Sequence, residues 1–402
     1  MTVHSTDGMT WLTKLKRIEL LSSQNQEIVF NNLGHVIDIA MLEQQFKELG
    51  NKKAIGTDGI TKTEYGKNLE ANLKVLLTKI RRGTYQVKPA RTTVIPKEDG
   101  GLRPLIISCL EDKIVESAVS KILNAVFEPI FLKCSYGFRP KVNAHDALRA
   151  LNKATFSFSK GAVVEIDITK CFNSIRHQEL MEFLRQRISD KSFLKLVKKL
   201  IETPIIEDGT TTISKVGCRQ GSIASPILAN IFLHYVIDCW FNKISKENIK
   251  GKAEMVRYSD DMVFVFEKVE DAKRFYDVLP KRLSKYGLDI NEAKSQLLLS
   301  GRRHAAFLYK QKKKIKTYNF LGFTCYWGKS RSGRWRLKYT SRKDRFTAKL
   351  KGLKEYLRGQ LIAPDKTQVL KMVIKVIRGW VNYHGISDNH KRVRSFIYQS
   401  KH

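Results

Sequence analysis

The spacing of apolar positions along the chain predicts a mixture of helices and short strands. Helical spacing, with apolar residues every three or four positions, covers most of 10–50 and 179–202 and all of 64–83, 112–131, 225–244, 271–286 and the region after about 341. Continuous β-branched and aromatic runs predict strands over 161–168 and 256–266, and a hairpin over 92–108. Because the two types do not alternate strictly, the pattern favours an α+β fold over a doubly wound sheet.

The composition indicates a polyanionic partner. The chain has 402 residues, of which 42% are hydrophobic, enough for a sizeable core divided into two or three subdomains. Its formal net charge is +34. The last quarter, 301–402, holds 27 Lys and Arg against 4 Asp and Glu, so the excess is concentrated there. Such an excess favours binding to nucleic acid or to an anionic membrane surface.

Two features favour nucleic acid over a membrane. No run approaches the ~18 apolar residues that a spanning helix needs, and the N-terminus lacks a signal-peptide pattern. The basic segments are also interleaved with aromatic residues, which suits stacking on bases; the simpler alternative is that these rings belong to the core. The aromatic residues are Tyr318, Trp327, Trp335, Tyr339, Trp380 and Tyr383.

The cysteines are far apart and form no CxxC pair. Most of them lie among apolar neighbours, which is typical of reduced thiols in the core of a cytoplasmic protein. The spacing therefore argues against a zinc finger and against an attached endonuclease of the cysteine-containing type.

Paired aspartates, Asp260 and Asp261, interrupt the apolar run VRYSDDMVFVF. An ionised carboxylate in a buried strand is costly unless something neutralises it. One solution is an ion pair, with Arg257 as the nearest candidate. The other is a divalent metal site, and a third carboxylate, Asp167 at the end of the strand VVEIDI, favours it because oxygen ligands select Mg²⁺.

Two further stretches suggest nucleotide binding. In IPKEDGGLRP, Lys97 and Arg103 lie on either side of a tight turn, so both cations could face a triphosphate. Taken alone, a basic hairpin is usually only a solvated surface. In RQGSIASP, Gly221 would allow a ligand close to the backbone, and Ser225-Pro226 are typical of a helix start.

Taken together, SYGFRP, EIDITKCFNSI, RQGSIASP, YSDD, LDINEAKS and NFLGF occur in the order found in reverse transcriptases. The chain most resembles bacterial group II intron-encoded reverse transcriptase/maturases, from roughly Phe30 to its C-terminus. The segment RGWVNYHGISDNHKRVRSF resembles the maturase part of that family. The resemblance implies an α+β right-hand polymerase with an N-terminal helical extension (1–49), fingers (50–155), a palm (156–330) and a helical, basic thumb and maturase region (331–402).

The resemblance also implies roles for individual residues. It implies that Asp167, Asp260, Asp261 and the carbonyl of Ile168 bind two Mg²⁺ ions, with Mn²⁺ as a substitute. The implied dNTP-binding residues are Lys97, Arg103, Phe172, Gln220, Gly221 and Lys294. The implied nucleic-acid contacts are Arg139, Phe320, Leu321, Gly322, Arg378, Trp380 and Tyr383. Phe172 would be the gate that crowds a ribose 2′-hydroxyl, although a core aromatic at this position and a surface lysine at 294 are the plain alternatives.

Three single positions and one short segment depart from the family pattern. Arg219 stands where the family usually has Pro, Ser259 where it has Ala, and Glu116 where it has Gln. The segment 106–108, Ile-Ile-Ser, stands where Gly-Ile-Pro is common. None of these changes removes a carboxylate, but they weaken the expectation of an ordinary mobile-intron protein.

Three functions are therefore compared. The first is a group II intron-type RNA-directed DNA polymerase that binds a structured RNA, a template and primer, and dNTPs. The second is a domesticated, antiphage-defence relative that copies a dedicated non-coding RNA. The third is a non-catalytic RNA-binding splicing cofactor. The sequence does not name the RNA, the primer or the oligomeric state.

Overall fold

The computed structural model describes residues 10–51, 53–96, 101–207, 210–362 and 364–400. The helices within these ranges are α1 (Trp11–Gln24), α2 (Ile39–Glu48), α3 (Lys62–Lys67), α4 (Leu69–Arg81), α5 (Leu110–Phe127), α6 (Ala144–Ser157), α7 (Cys171–Ser174), α8 (His177–Arg185), α9 (Lys191–Ile201), α10 (Ser225–Leu233), α11 (Cys239–Glu247), α12 (Val269–Lys285), α13 (Arg302–Lys310), α14 (Lys343–Gly359), α15 (Lys366–His384) and α16 (His390–Gln399). Short 3₁₀ turns lie at Gly34–Val36, Glu128–Ile130 and Ser387–Asn389.

The strands described form three sheets. They are β1 (Ala90–Pro96), β2 (Leu102–Ile107), β3 (Gly161–Ile166), β4 (Ile205–Glu207), β5 (Thr210–Thr212), β6 (Ala253–Tyr258), β7 (Asp261–Phe266), β8 (Gln296–Ser300), β9 (Tyr318–Phe320), β10 (Phe323–Lys329) and β11 (Trp335–Ser341). Their orders are β2-β1-β4-β5, β6-β7-β3-β8 and β11-β10-β9. The predicted α+β class is confirmed, as are the hairpin of β1 and β2 and the strand pair around the aspartates. The sheet of β9 to β11 was not predicted.

Polar residues at the starts of several helices explain where these helices begin. Asn143 accepts hydrogen bonds from the amides of His145 and Asp146, and Asp146 bonds back to the Asn143 amide, which completes a capping box before α6. Asp190 caps α9 through the Phe193 amide. These caps fix the helix starts on which the packing described below depends.

The central sheet brings the acidic strands together. β3 pairs antiparallel with β7 on one side and with β8 on the other. The register opposes Ile166 to Met262. Asp167, which follows β3, and Asp261, which begins β7, therefore lie at the same edge of the sheet.

Both faces of this sheet are buried, which explains its uninterrupted apolar runs. Met262, Phe264 and Phe266 of β7 belong to the largest core, which also contains α5 and α10. Val263 and Val265 point the other way, into a second core shared with α6 and β9 to β11. A small third cluster packs the C-terminal helices together.

A π-helical turn interrupts the helix predicted over 225–244. His234–Asp238 forms this turn between α10 and α11. Asp238, at its end, is completely buried and faces Arg257 of β6. The Arg257 guanidinium donates to both Asp238 carboxylate oxygens at 2.7 and 2.6 Å, to Asn230 Oδ1 at 3.0 Å and to the Ser259 carbonyl at 3.1 Å. The alternative in which Arg257 neutralises the paired aspartates is therefore wrong.

The SYGFRP segment packs against β6 as if it were a further strand. The Arg257 amide donates to the Cys134 carbonyl at 2.7 Å, and the Tyr136 amide donates to the Arg257 carbonyl at 2.8 Å. Gly137 then passes so close to Ser259 that a Cβ on it would lie 2.3 Å from the Ser259 amide nitrogen. A glycine is required at position 137 because any side chain there would collide with the backbone of the turn before the aspartates.

The proposed subdomain boundaries stay predictions. The largest core contains residues from Trp11 to Leu288, so it joins residues of the proposed extension, fingers and palm. No helix in the described ranges is long and apolar enough to cross a membrane. The cysteines are free thiols, buried or half-buried.

We expect the buried pair of Arg257 and Asp238 to be necessary for stability. Substitution Arg257→Met leaves a buried carboxylate without its counter-charge, so the free energy of unfolding should fall by about 3–5 kcal/mol, measured by urea denaturation. The control is Lys74→Met, which removes an exposed ion pair with Glu70. That change should cost less than about 0.5 kcal/mol. Equal losses from the two substitutions would contradict this role for Arg257.

Candidate active site

A cavity of about 760 Å³ opens at the edge of the central sheet where the acidic strands end. Its lining combines carboxylates, cations and the turn after β9. The carboxylates are Glu165, Asp167, Asp260, Asp261 and Asp344; the cations are Arg103, Lys294, Arg342 and Arg345; the turn is Phe320, Leu321 and Gly322. Most of the residues that the sequence predicts for catalysis are therefore neighbours in space.

Secondary structure fixes the positions of the central carboxylates. Asp260 occupies the tight turn between β6 and β7, where Ser259 adopts φ +59°. Asn291 Nδ2 donates to Asp167 Oδ2 at 3.0 Å, and the Asp167 amide donates to Ser295 Oγ at 3.1 Å. Asp167 is thus oriented by side chains of the segment that leads into β8.

Burial and neighbouring negative charge raise the pKa of Asp260 and of Asp261. Enclosure by the cavity walls, followed by the charges of Asp260 and Asp167, raises the pKa of the Asp261 carboxyl to about 7, although this side chain is open to the cavity. Burial raises the pKa of Asp260, and the charge of Asp167 adds to the effect, whereas a hydrogen bond from Ser259 and the charge of Arg103 oppose it. The cluster is therefore short of positive charge.

This shortage of positive charge is what a divalent cation would relieve, so the residues present fit one. No three His, Cys, Asp or Glu side chains of the described ranges converge into a complete ligand set. Further oxygen ligands would come from water, substrate phosphates or backbone. Ile168, whose carbonyl was predicted as a ligand, follows Asp167 directly and is bridged to Ile290.

Cations line the same cavity. Arg103 lies on β2 opposite Ile95, and Lys294 lies in the turn before β8. Lys97 lies outside the described residues, so its pairing with Arg103 across the hairpin stays a prediction. Arg345 on α14 lowers the pKa of Asp261, which opposes the effect of burial.

The other residues predicted to bind the dNTP, Phe172, Gln220 and Gly221, do not line the cavity. Phe172 on α7 is half-buried and makes an edge-to-face contact with Phe138, at 6.3 Å between ring centroids. The Phe172 carbonyl accepts from the Cys218 amide at 2.7 Å, which connects α7 to the segment before Gln220. Gly221 has φ +112°, and a Cβ there would lie 2.4 Å from the Ile106 carbonyl oxygen. A side chain at Gly221 is excluded on both grounds.

The Phe320–Gly322 turn, which is predicted to contact nucleic acid, is tight and is supported by a side chain of α15. Leu321 and Gly322 have φ +50° and +77° and connect β9 to β10, the geometry of a two-residue hairpin turn. The Tyr383 hydroxyl on α15 donates to the Leu321 carbonyl at 2.8 Å. Tyr383 thus positions this turn through its hydrogen bond to Leu321.

The structure favours structural roles for two residues predicted to contact nucleic acid. Arg139 forms a bidentate ion pair with Glu128 and donates to the Leu132 and Ser135 carbonyls at 2.9 and 2.8 Å. Trp380 is only 7% exposed and stacks on Phe396 with centroids 3.9 Å apart. Its indole therefore belongs to the third core and does not offer a face to bases.

Arg378, two residues before Trp380 on α15, is exposed. Among the other aromatic residues of the basic segments, Tyr318, Trp327 and Tyr339 are buried, as the core alternative expected. The exposed face of this region is thus mainly cationic.

Sequence reasoning missed several residues of the site. Asn291 and Ser295 orient Asp167, and both lie in the LDINEAKS motif, which offered a signal. Glu165 accepts from Gln296 Nε2 at 2.7 Å and from the Asn319 amide at 3.1 Å, and it lies two positions before Asp167 on the same strand face. The sequence offered no signal for Arg345 beyond the basic composition, because the approach of Arg345 to the carboxylates depends on where α14 lies in the folded chain.

Comparison with known proteins agrees with this geometry. The model of the reverse transcriptase (RNA-dependent DNA polymerase) family matches residues 95–325, more than half of the chain. That range includes all the central carboxylates and the turn after β9.

Several curated relatives are similar over part of their length. Protein YkfC of Escherichia coli is 37% identical over 182 residues, covering 44% of this chain and 48% of YkfC. The group II intron-encoded protein LtrA of Lactococcus lactis is 32% identical over 222 residues, 55% of this chain and 37% of LtrA. The putative COX1/OXI3 intron 1 protein of Saccharomyces cerevisiae is 29% identical over 339 residues, 72% of this chain and 40% of that protein.

The chain thus spans less than half the length of each of these relatives. The α+β architecture and the family match are consistent with the right-hand polymerase fold. Relatives named as group II intron-encoded proteins agree with the resemblance in the motifs. The chain therefore belongs to the reverse transcriptase family.

Proposed function

We propose that the chain is an RNA-directed DNA polymerase of group II intron type, which extends a primer with dNTPs on an RNA template. One observation carries the proposal: the carboxylates at the edge of β3 and β7 share a cavity with the cations of β2 and α14. Carboxylates suit catalytic cations and basic side chains suit phosphates, and nucleotidyl transfer needs both in one place.

Asp167 and Asp260 are the proposed metal ligands, with Asp261 and the Ile168 carbonyl beside them. Bound Mg²⁺, or Mn²⁺ in its place, would supply Lewis-acid activation of the α-phosphate and of the primer hydroxyl. Asn291 holds Asp167 in its rotamer by the hydrogen bond at 3.0 Å. The Ser259 side chain supports Asp260 in its ionised form by another hydrogen bond.

The nucleotide would lie between the carboxylates and the hairpin of β1 and β2. Arg103 and Lys294 would hold the triphosphate, joined by Lys97. Phe172 would crowd the ribose, and its contact with Phe138 restricts where the ring can move. Gln220 and Gly221 would meet the nucleotide through backbone as well as side chain.

The primer end would lie against the Phe320–Gly322 turn, which Tyr383 supports. A structured RNA would bind the cationic outer face of α14 to α16, where Arg378 is exposed. A non-catalytic RNA-binding cofactor explains the site less well, because a group of mutually repelling carboxylates does not help RNA binding and repels phosphate.

Asp260→Asn and Asp261→Asn should each lower dNTP incorporation on a primed RNA template by roughly a hundredfold or more, because each removes a charge that the catalytic cations require. The measurement is primer extension with purified protein. The matched control is Asp277→Asn on the exposed face of α12, which should leave the rate unchanged.

The identity of the RNA that co-purifies with the protein refines the result. Loss of incorporation on an intron RNA supports the group II intron function. If the co-purified RNA is instead a short dedicated RNA and the variants lose dNTP incorporation on it, the result supports the domesticated relative. A folded wild-type protein that binds RNA but incorporates no dNTP on any primed template would overturn the proposal in favour of the non-catalytic cofactor.

RNA affinity should fall steeply with salt, because each neutralised phosphate adds roughly 0.7–0.9 to the slope of log K against log salt. Arg378→Ala should reduce that slope by about one unit if this residue neutralises a phosphate. Lys273→Ala on α12, outside the basic last quarter, is the control and should change the slope less. A nearly flat salt response of the wild type would contradict RNA binding by the C-terminal charge.

A further inference from the structure

Three positions at which the sequence departs from the family pattern, Ser108, Glu116 and Arg219, come together in the structure. Ser108 follows β2, Glu116 lies on α5, and Arg219 precedes the turn at Gln220 and Gly221. They are far apart along the chain, so their proximity is a property of the fold. All three adjoin the two segments proposed to bind the nucleotide.

Glu116 is the centre of this group. It is 2% exposed, and its Oε1 accepts from Ser108 Oγ at 2.8 Å while its Oε2 accepts from the Ile223 amide at 2.9 Å. The Ser222 side chain also donates to it. One buried carboxylate thus bonds to the end of β2 on one side and to the turn after Gly221 on the other.

Backbone contacts tighten the same connection. The Ile106 amide donates to the Gln220 carbonyl at 2.7 Å, and Gly221 fits closely against the Ile106 carbonyl. On the other side the Cys218 amide donates to the Phe172 carbonyl at 2.7 Å. The segment 218–223 is therefore held between β2, which carries Arg103, and α7, which carries the proposed gate.

Arg219 is a charged neighbour of Glu116. Burial raises the pKa of the Glu116 carboxyl, and the charge of Arg219 opposes that effect. Burial lowers the pKa of Arg219 to about 10, and the charge of Glu116 opposes that in turn. Arg219 Nη2 is buried without a hydrogen-bond partner among the described residues.

We propose that Glu116 and Arg219, with Ser108, are coupled positioning residues that hold the Gln220-Gly221 turn against β2 in the geometry that binds the incoming dNTP. In this chain a buried carboxylate and a half-buried guanidinium stand where the family pattern has Gln and Pro. The inference rests on the proposed function, since it concerns the nucleotide site of that polymerase. It adds residues that touch neither the nucleotide nor the carboxylates.

A double-mutant cycle of Glu116→Gln and Arg219→Met tests the coupling, because each substitution removes one of the two charges and leaves the other in place. Each single variant should raise the KM for dNTP roughly three- to thirtyfold, with a smaller change in kcat. The double variant should show a smaller increase than the product of the two single effects, by a factor of at least about three. Arg219→Lys keeps the charge and should stay near the wild-type KM.

The matched control is Glu48→Gln, which makes the same Glu-to-Gln exchange away from the nucleotide site. Glu48, on α2, pairs with Lys121 of α5, the helix that also carries Glu116. This substitution should leave the KM unchanged. Amide hydrogen exchange gives a readout that does not depend on activity. In Glu116→Gln, exchange should speed up in peptides covering 104–110 and 217–224 and stay the same in a peptide covering 335–341.

The outcomes separate the two proposals. An active wild type in which the single effects on KM simply multiply, or in which only thermal stability changes, overturns the coupling and leaves the polymerase standing. A folded wild type without dNTP incorporation overturns the polymerase, and the nucleotide-positioning role falls with it. Unchanged exchange at 217–224 in Glu116→Gln also overturns the positioning role, whatever the activity.

Discussion

The buried ion pair of Arg257 with Asp238 is the constraint on which the site depends. Both side chains are fully buried, and the guanidinium also holds Asn230 and the Ser259 carbonyl. Such a pair tolerates little displacement, because a partly separated pair leaves charge in a medium of low dielectric constant. The turn that carries Asp260 is thereby fixed relative to α10 and α11. Because β3 pairs with β7, the carboxylate of Asp167 is in turn fixed relative to Asp260 and Asp261.

Rigid support allows carboxylates that repel one another to stay close. In a looser structure Asp167, Asp260 and Asp261 would separate; here enclosure, followed by the charges of Asp260 and Asp167, raises the pKa of Asp261 to about 7. The same cavity receives cations from elements distant in sequence, Arg103 on β2 and Arg345 on α14. The site therefore combines a local deficit of positive charge at the sheet edge with a surplus around it, an arrangement suited to cations and polyphosphates.

The sequence predicted what depends on local pattern. Strands β3, β6 and β7 and the three aspartates followed from apolar runs interrupted by acidic residues. It could not predict partners chosen by tertiary packing: Arg257 pairs with Asp238, 19 positions away at the end of a π-helical turn, instead of with the adjacent aspartates. Trp380 lies in a core although its basic neighbours suggested an exposed ring. The grouping of Ser108, Glu116 and Arg219 was visible in sequence only as separate departures from a pattern.

The central claim is that the carboxylates are held together to bind divalent cations for nucleotidyl transfer. Mn²⁺ binding, followed by electron paramagnetic resonance in the presence of a primed RNA template and dNTP, tests it most directly. The account predicts that the wild type binds two Mn²⁺ ions and that Asp167→Asn loses at least one of them while remaining folded. Equal Mn²⁺ binding by the two proteins, or none by a folded wild type, would contradict it.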